Sequence, residues 1–102
     1  MKATSFEQAR RLEDVPNIGA EIAKDLRQLG YEAPAQLQGQ DPYEMYDRLC
    51  AMTGIRHDPC LLDTFISAVR FMDGGAALPW WAYTAERKRE LAARSPAIVT
   101  SA

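Results

Sequence analysis

Four side chains able to bind a metal or carry thiol chemistry, Cys50, His57, Cys60 and Asp63, fall within one short stretch of the chain. Their spacing argues against structural zinc, which uses close Cys-x-x-Cys pairs or paired Cys and His ligands. Here Cys50 lies in an apolar helical pattern and a turn separates the two thiols. No metal or cofactor is therefore expected. Cys60, at a helix start just after His57, has the makings of an activated nucleophile, because a helix N-terminus and a nearby imidazole both lower a thiol pKa. The rest of an active site is missing. No oxyanion hole, cofactor loop or paired carboxylates accompany the thiol, so the sequence reads as a non-enzyme without catalytic residues, with a reactive Cys60 as the alternative. In the plainer reading, Arg56, His57 and Asp58 form a hydrogen-bonded helix start and Cys60 packs inward.

A second chemistry needs no reactive side chain. The stretch Leu12 to Tyr31, LEDVPNIGAEIAKDLRQLGY, reads as two short amphipathic helices around a Pro-Asn-Ile-Gly turn, the pattern of a helix-hairpin-helix. Asn17 and Gly19 tolerate the left-handed or otherwise tight backbone of such a turn, and Ile18 points between the helices. Ile22, Ala23, Leu26 and Leu29 follow at the spacing of one buried helix face, and Gly30 ends the second helix. A hairpin of this kind offers turn amides and a helix N-terminus to a phosphate. The candidate nucleic-acid contacts are Asn17, Ile18, Gly19, Ala20, Lys24 and Arg27.

The elements that position these groups are helical. Pro34 opens a short turn through Leu37, closed by Gly39. Asp41-Pro42 starts a helix to about Thr53 in which Tyr46, Leu49, Cys50 and Thr53 share a face that Met45 and Met52 widen, and Gly54 stops it. Asp58-Pro59 starts the longest helix. Leu62, Phe65, Ile66, Val69 and Met72 form its apolar face, Asp63, Ser67 and Arg70 a polar stripe, and Gly74-Gly75 its end. No strand-type alternation is present, so the class is all-α: a compact domain of about five to six helices on a helix-hairpin-helix, SAM-like core.

The 102 residues, 47% of them hydrophobic, suffice for one modest core and a single domain over residues 1–102. Residues 76–94 read as an aromatic segment and C-terminal helix packed on that domain, and residues 95–102 as a flexible tail. No apolar run approaches the roughly 20 residues of a membrane span, and the N-terminus lacks a secretory signal, so a cytoplasmic location without membrane contact is the expectation. Two cysteines suit a reducing compartment. The net charge of −2 does not attract nucleic acid as a whole-molecule field, so a polyanion must meet a local patch. Arg10, Arg11, Lys24 and Arg27 form one candidate, Arg87, Lys88 and Arg89 another. The middle of the chain, residues 31–73, is acidic, with three basic against seven acidic groups.

Trp80, Trp81 and Tyr83 must cover something, because each buried aromatic removes roughly 150–250 Å² from water. They either fold back over the helical core or form a surface for a protein partner or a second copy of the chain; base stacking is a third use.

Three segments carry a resemblance: RLEDVPNIGAEIAKDLRQLGY, DPYEMYDRLCAMTGIRHDPCLLDTFISAVRF and LPWWAYTAERK. Over about residues 10 to 90 the chain resembles the small bacterial helix-hairpin-helix proteins of the pathogenicity-locus family, some labelled mitomycin-resistance proteins. The hairpin half is also similar to the C-terminal domain of TfoX-type competence regulators. Gly19 matches the turn glycine of DNA-binding hairpins and Ala23 the small residue after it. Asn17 replaces their first glycine, and Glu21 puts a carboxylate where an incoming phosphate would be opposed. The expected function is a DNA-binding accessory protein that grips the phosphate backbone without reading sequence. The alternative is a protein-interaction module, homo-oligomeric or not, with a purely structural hairpin. No small-molecule substrate is indicated.

Overall fold

Two Asp-Pro pairs set the beginnings of the two longest helices. Asp41 and Asp58 each accept hydrogen bonds from backbone amides of the turn they open, Asp41 from Tyr43 (2.9 Å) and Glu44 (3.4 Å) and Asp58 from Cys60 (2.8 Å). The following proline has no amide to leave unpaired. The computed structural model describes residues 2–94. Among these, α1 spans Ala20–Gln28, α2 Pro42–Thr53, α3 Pro59–Met72 and α4 Thr84–Arg94. Single 3-10 turns at Phe6–Gln8, Leu12–Asp14, Pro34–Leu37 and Trp80–Tyr83 complete the order, and no strand is present among the described residues. The chain is all-α, with four α-helices among the described residues in place of the five to six helices expected. The expected tail, residues 95–102, lies outside the described residues.

The shortfall has a local cause. Leu12–Asp14, expected as the first hairpin helix, is one 3-10 turn, because Val15 precedes Pro16 and takes the extended conformation (ψ 133°) that a following proline imposes. At the far end of α1, Gly30 (φ +101°) closes a Schellman arrangement, with its amide on Arg27 O and the Tyr31 amide on Leu26 O.

Helix α3 is the centre of the molecule. Every residue from Leu62 to Val69 is buried, and α2, the Pro34–Leu37 turn, the Trp80–Tyr83 turn and α4 all pack against it. Leu12, Val15, Ile18, Ala23 and Leu26 bring the N-terminal limb into the same core, all fully inaccessible. Met52, expected on the packing face of α2, is instead 57% exposed beyond the end of that face.

The polar stripe of α3 is also mostly inside. Asp63 is 0% and Ser67 4% exposed, leaving only Arg70 at the surface. A buried carboxylate requires partners. Asp63 has them: Thr84 donates its hydroxyl (2.7 Å), and Arg87 donates Nε (2.8 Å) and a terminal nitrogen (3.4 Å). Arg70 adds a second tie, paired with Glu86 and lying over the Tyr83 ring. Helix α4 itself has no fully buried residue; half-buried Leu91 packs against the core, and these polar contacts and Tyr83 add to its hold.

Removing one member of a buried ion pair typically costs 3–5 kcal/mol. Because Arg87 can swing toward solvent, Asp63→Ala is expected at the lower end, about 3 kcal/mol, and Thr84→Val at about 1 kcal/mol, both measured by urea unfolding.

Candidate functional site

The turn between Leu12–Asp14 and α1 is built by one hydrogen bond and one left-handed residue. The Ile18 amide donates to Val15 O (3.1 Å), and Asn17 has φ +72°, a conformation asparagine adopts more readily than most residues. The Asn17 amide side chain donates to Leu78 O (2.9 Å) and Ser67 Oγ (3.2 Å), and so ties the turn to α3 and to the segment ahead of the tryptophans. Ile18 is fully buried. Of the four residues proposed around this turn, Asn17 and Ile18 therefore spend their side chains, and Ile18 also its amide, inside the protein.

Gly19 and Ala20 are different. Both are exposed, Gly19 is the N-cap of α1, and no side chain caps that helix. Helices α2 and α3, by contrast, carry aspartate caps. The leading amides of α1 consequently have neither an intrahelical nor a side-chain partner. Gly19 has extended backbone (φ −95°, ψ −173°) that any residue could adopt, and a Cβ built there meets nothing within 4 Å. Neither conformation nor packing inside the chain demands glycine here. The left-handed or tight backbone expected at both Asn17 and Gly19 is corrected for Gly19: in this turn Asn17 alone is left-handed.

The nearby charges divide. Arg27 is held by Glu13 through two hydrogen bonds (3.1 and 3.0 Å), and the pair draws the Glu13 carboxyl below and the Arg27 guanidinium above their ordinary values. In the second basic cluster Arg87 is bound to Asp63. Among the described residues, Arg10, Arg11, Lys24, Lys88 and Arg89 are exposed and have no carboxylate within 4.0 Å. Glu21 is exposed in the first turn of α1. It suits the helix dipole and opposes a second anion at the same place. Sequence reasoning missed Lys2, whose ammonium donates to the carbonyls of Glu13, Val15 and Ile18. Nothing in the sequence around Lys2 signals a contact with residues so far along the chain.

The metal-capable and thiol residues do not gather. Asp63 faces α4, and His57 Nε2 lies 2.9 Å from Thr53 Oγ1, which itself donates to Leu49 O. Among the described residues no group of three or more His, Cys, Asp or Glu side chains could hold a metal ion. Cys60 is partly buried, and its thiol is pushed up from its ordinary value, first by a hydrogen bond to the Asp58 carboxylate and then by burial. The shift is thus opposite to the lowering expected at this helix start.

The three aromatics separate as well. Tyr83 is buried under Arg70, Trp80 is half-buried, and Trp81 stands 62% exposed with its ring edge-on to Trp80 (centroids 5.5 Å, 85°). Leu78, whose carbonyl holds Asn17, is 45% exposed. No helix among the described residues is long and apolar enough to cross a membrane.

Comparison with known proteins places this arrangement in context. The chain is 50% identical over 76 residues to a mitomycin resistance protein, McrB, of Streptomyces lavendulae, an alignment covering 74% of this chain and 72% of that protein. No solved structure matches. Residues 5–89, which hold the turn, the clamp at Asp63 and the tryptophans, match the family described as Pathogenicity locus, and the chain belongs to that family.

Proposed function

We propose that this protein associates with nucleic acid by seating a backbone phosphate on the leading amides of α1, in a helix-hairpin-helix whose first helix is cut to a single turn. The observation that carries this reading is the bare N-terminus of α1: an uncapped helix start behind a glycine that the fold does not require, with open space in front of it. Unpaired amides and the helix dipole together attract an anion, and a residue without a side chain lets it come close. Lys24, one turn further along and without a carboxylate partner among the described residues, adds long-range attraction, and Arg10 and Arg11 extend it. Contacts of this kind hold a strand without reading its bases. The mitomycin resistance in the relative's name is compatible with such a role and selects no detail of it.

A second reading is favoured by Trp81, a large aromatic left 62% exposed beside exposed Leu78. Such a pair is suited to a protein partner or a second copy of the chain. Cys60 has no part in either reading, because the Asp58 carboxylate disfavours its thiolate.

Fluorescence anisotropy of labelled duplex and single-stranded DNA, at low and physiological salt, tests the first reading. Affinity is expected to fall steeply with salt, and Lys24→Glu to weaken binding and flatten the dependence of log K on log salt by about one unit or more. Gly19→Asp is the sharper variant: its carboxylate caps α1 and occupies the proposed phosphate position. Binding is expected to be lost while stability is unchanged or rises by about 0.5 kcal/mol; unchanged binding places the contact elsewhere. For the second reading, sedimentation should reveal a discrete oligomer or complex that Trp81→Ala dissolves without unfolding the chain. A monomer at all concentrations removes the homo-oligomer. For the thiol, the raised pKa means less thiolate near neutral pH, so Cys60 should alkylate more slowly than a free cysteine. Asp58→Asn should speed that reaction and shift its pH profile downward; rapid alkylation of the wild type would reopen a nucleophilic role.

A further inference from the structure

The outer face of the C-terminal limb carries one sign of charge. The Trp80–Tyr83 turn runs directly into α4, and Trp81, Ala85, Lys88 and Ala92 recur at the spacing of a single helical stripe, all of them exposed, with exposed Arg89 at its edge. The two carboxylates of α4 are elsewhere: Glu86 and Glu90 are partly buried and taken by Arg70 and Arg94. Lys88 and Arg89 have no carboxylate within 4.0 Å among the described residues. The alanines keep the stripe low between its aromatic end and its charged end. Lys88 stands roughly 11 Å along the limb from Trp81, the length of about three nucleotides of a stacked strand at roughly 3.4 Å each.

Trp81 is prepared for a flat partner. Half-buried Trp80 meets its ring at 85° with centroids 5.5 Å apart and restrains it, while most of Trp81 stays in water. A restrained indole loses little freedom when something stacks on it. A protein interface is rich in large apolar side chains and poor in lysine and alanine; apart from Trp81, this stripe is the reverse. An aromatic platform followed by unneutralised cations instead complements a polyanion that carries flat rings. Inside a duplex the base faces are covered by neighbouring pairs, so the indole can stack only on an unpaired base. The limb also begins beside the turn ahead of α1, because Leu78 O accepts from Asn17 and Trp81 is three residues on, at most about 11 Å of extended chain away. We infer that Trp81, Lys88 and Arg89 form a docking surface for a single-stranded stretch of nucleic acid, with one unpaired base stacked on Trp81 and the following phosphates drawn to Lys88 and Arg89. The inference rests on the proposed association with nucleic acid and adds its kind: a duplex on α1 that continues as a single strand over α4.

Anisotropy titrations of the full chain with a blunt duplex, the same duplex bearing a single-stranded thymidine tail, and the same tail built of abasic units separate the contacts. The thymidine tail should tighten binding on the order of tenfold; the abasic tail, with the same phosphates and no rings, should do far less. Trp81→Ala should erase the gain and leave blunt-duplex binding as it was, and Trp81→Phe should keep most of it. Lys88→Glu with Arg89→Glu should reduce the gain and its dependence on salt. No gain from the thymidine tail, an equal gain from the abasic one, or a gain that survives Trp81→Ala overturns the inference, and a wild-type oligomer held by Trp81 that gains nothing from the tail assigns the surface to a second copy instead. Blunt-duplex binding and its loss in Gly19→Asp report on α1 alone, so the two contacts fail separately, whereas a protein that binds none of the three DNAs overturns both. Should Trp81→Ala not fold, the wild type answers through its tryptophan emission: the thymidine tail should quench it more than the abasic tail, and equal quenching overturns the inference.

Discussion

The buried carboxylate of Asp63 is the constraint around which the rest of the structure is arranged. An ionised group in the middle of the central helix is tolerable only if donors meet it there. Both donors, Thr84 and Arg87, come from the far end of the chain. Helix α4 adds half-buried Leu91 to the edge of the core, and its docking onto α3 is fixed in register by polar groups whose geometry allows little choice. The segment leading into α4 is placed by the same clamp, and with it the Leu78 carbonyl that receives Asn17. A polar contact on α3 is thus linked through the backbone to a left-handed residue in the turn ahead of α1.

That turn is held from two sides. Asn17 fixes its outer edge to α3 and Leu78, and the Lys2 ammonium gathers three of its carbonyls from the other side. Carbonyls turned toward Lys2 and amides left bare at the start of α1 are two parts of one arrangement of peptide dipoles. In the proposed function, the exposed amides face a phosphate while the Lys2 ammonium neutralises the negative ends behind them. Glu21 opposes this and Lys24 favours it, so the amides and not the side-chain charges carry the proposed contact. The net negative charge of the chain fits an interaction of short range.

Much of the helical architecture was legible because it is written locally. The Asp-Pro starts at Asp41 and Asp58, the stops at Gly30 and Gly54, and the apolar spacing of α1 and α3 each depend on neighbours within a turn or two. The reading failed where distant residues decide. Asp63 and Ser67 look like a solvated stripe in sequence, and only the arrival of the C-terminal segment buries them. Lys2 looks like an ordinary terminal lysine. The first hairpin helix shrinks to a single turn because Pro16 restricts Val15 to extended backbone. At the site, Gly19, Ala20 and Lys24 keep the exposure their proposed role needs, whereas Asn17, Ile18 and Arg27 have internal partners that sequence alone does not reveal. The three aromatics, similar in sequence, divide into buried Tyr83, half-buried Trp80 and exposed Trp81, a division set by which side of the Trp80–Tyr83 turn each occupies.

The most direct test of the central claim is a residue-by-residue ¹H–¹⁵N titration of the protein with a short DNA duplex. The account predicts that the largest changes fall on the amides of Gly19, Ala20, Glu21 and Ile22, with Lys24 next. Changes concentrated on Trp80, Trp81 and Arg87 to Arg89, or none at all, would contradict it and leave the start of α1 as a structural feature only.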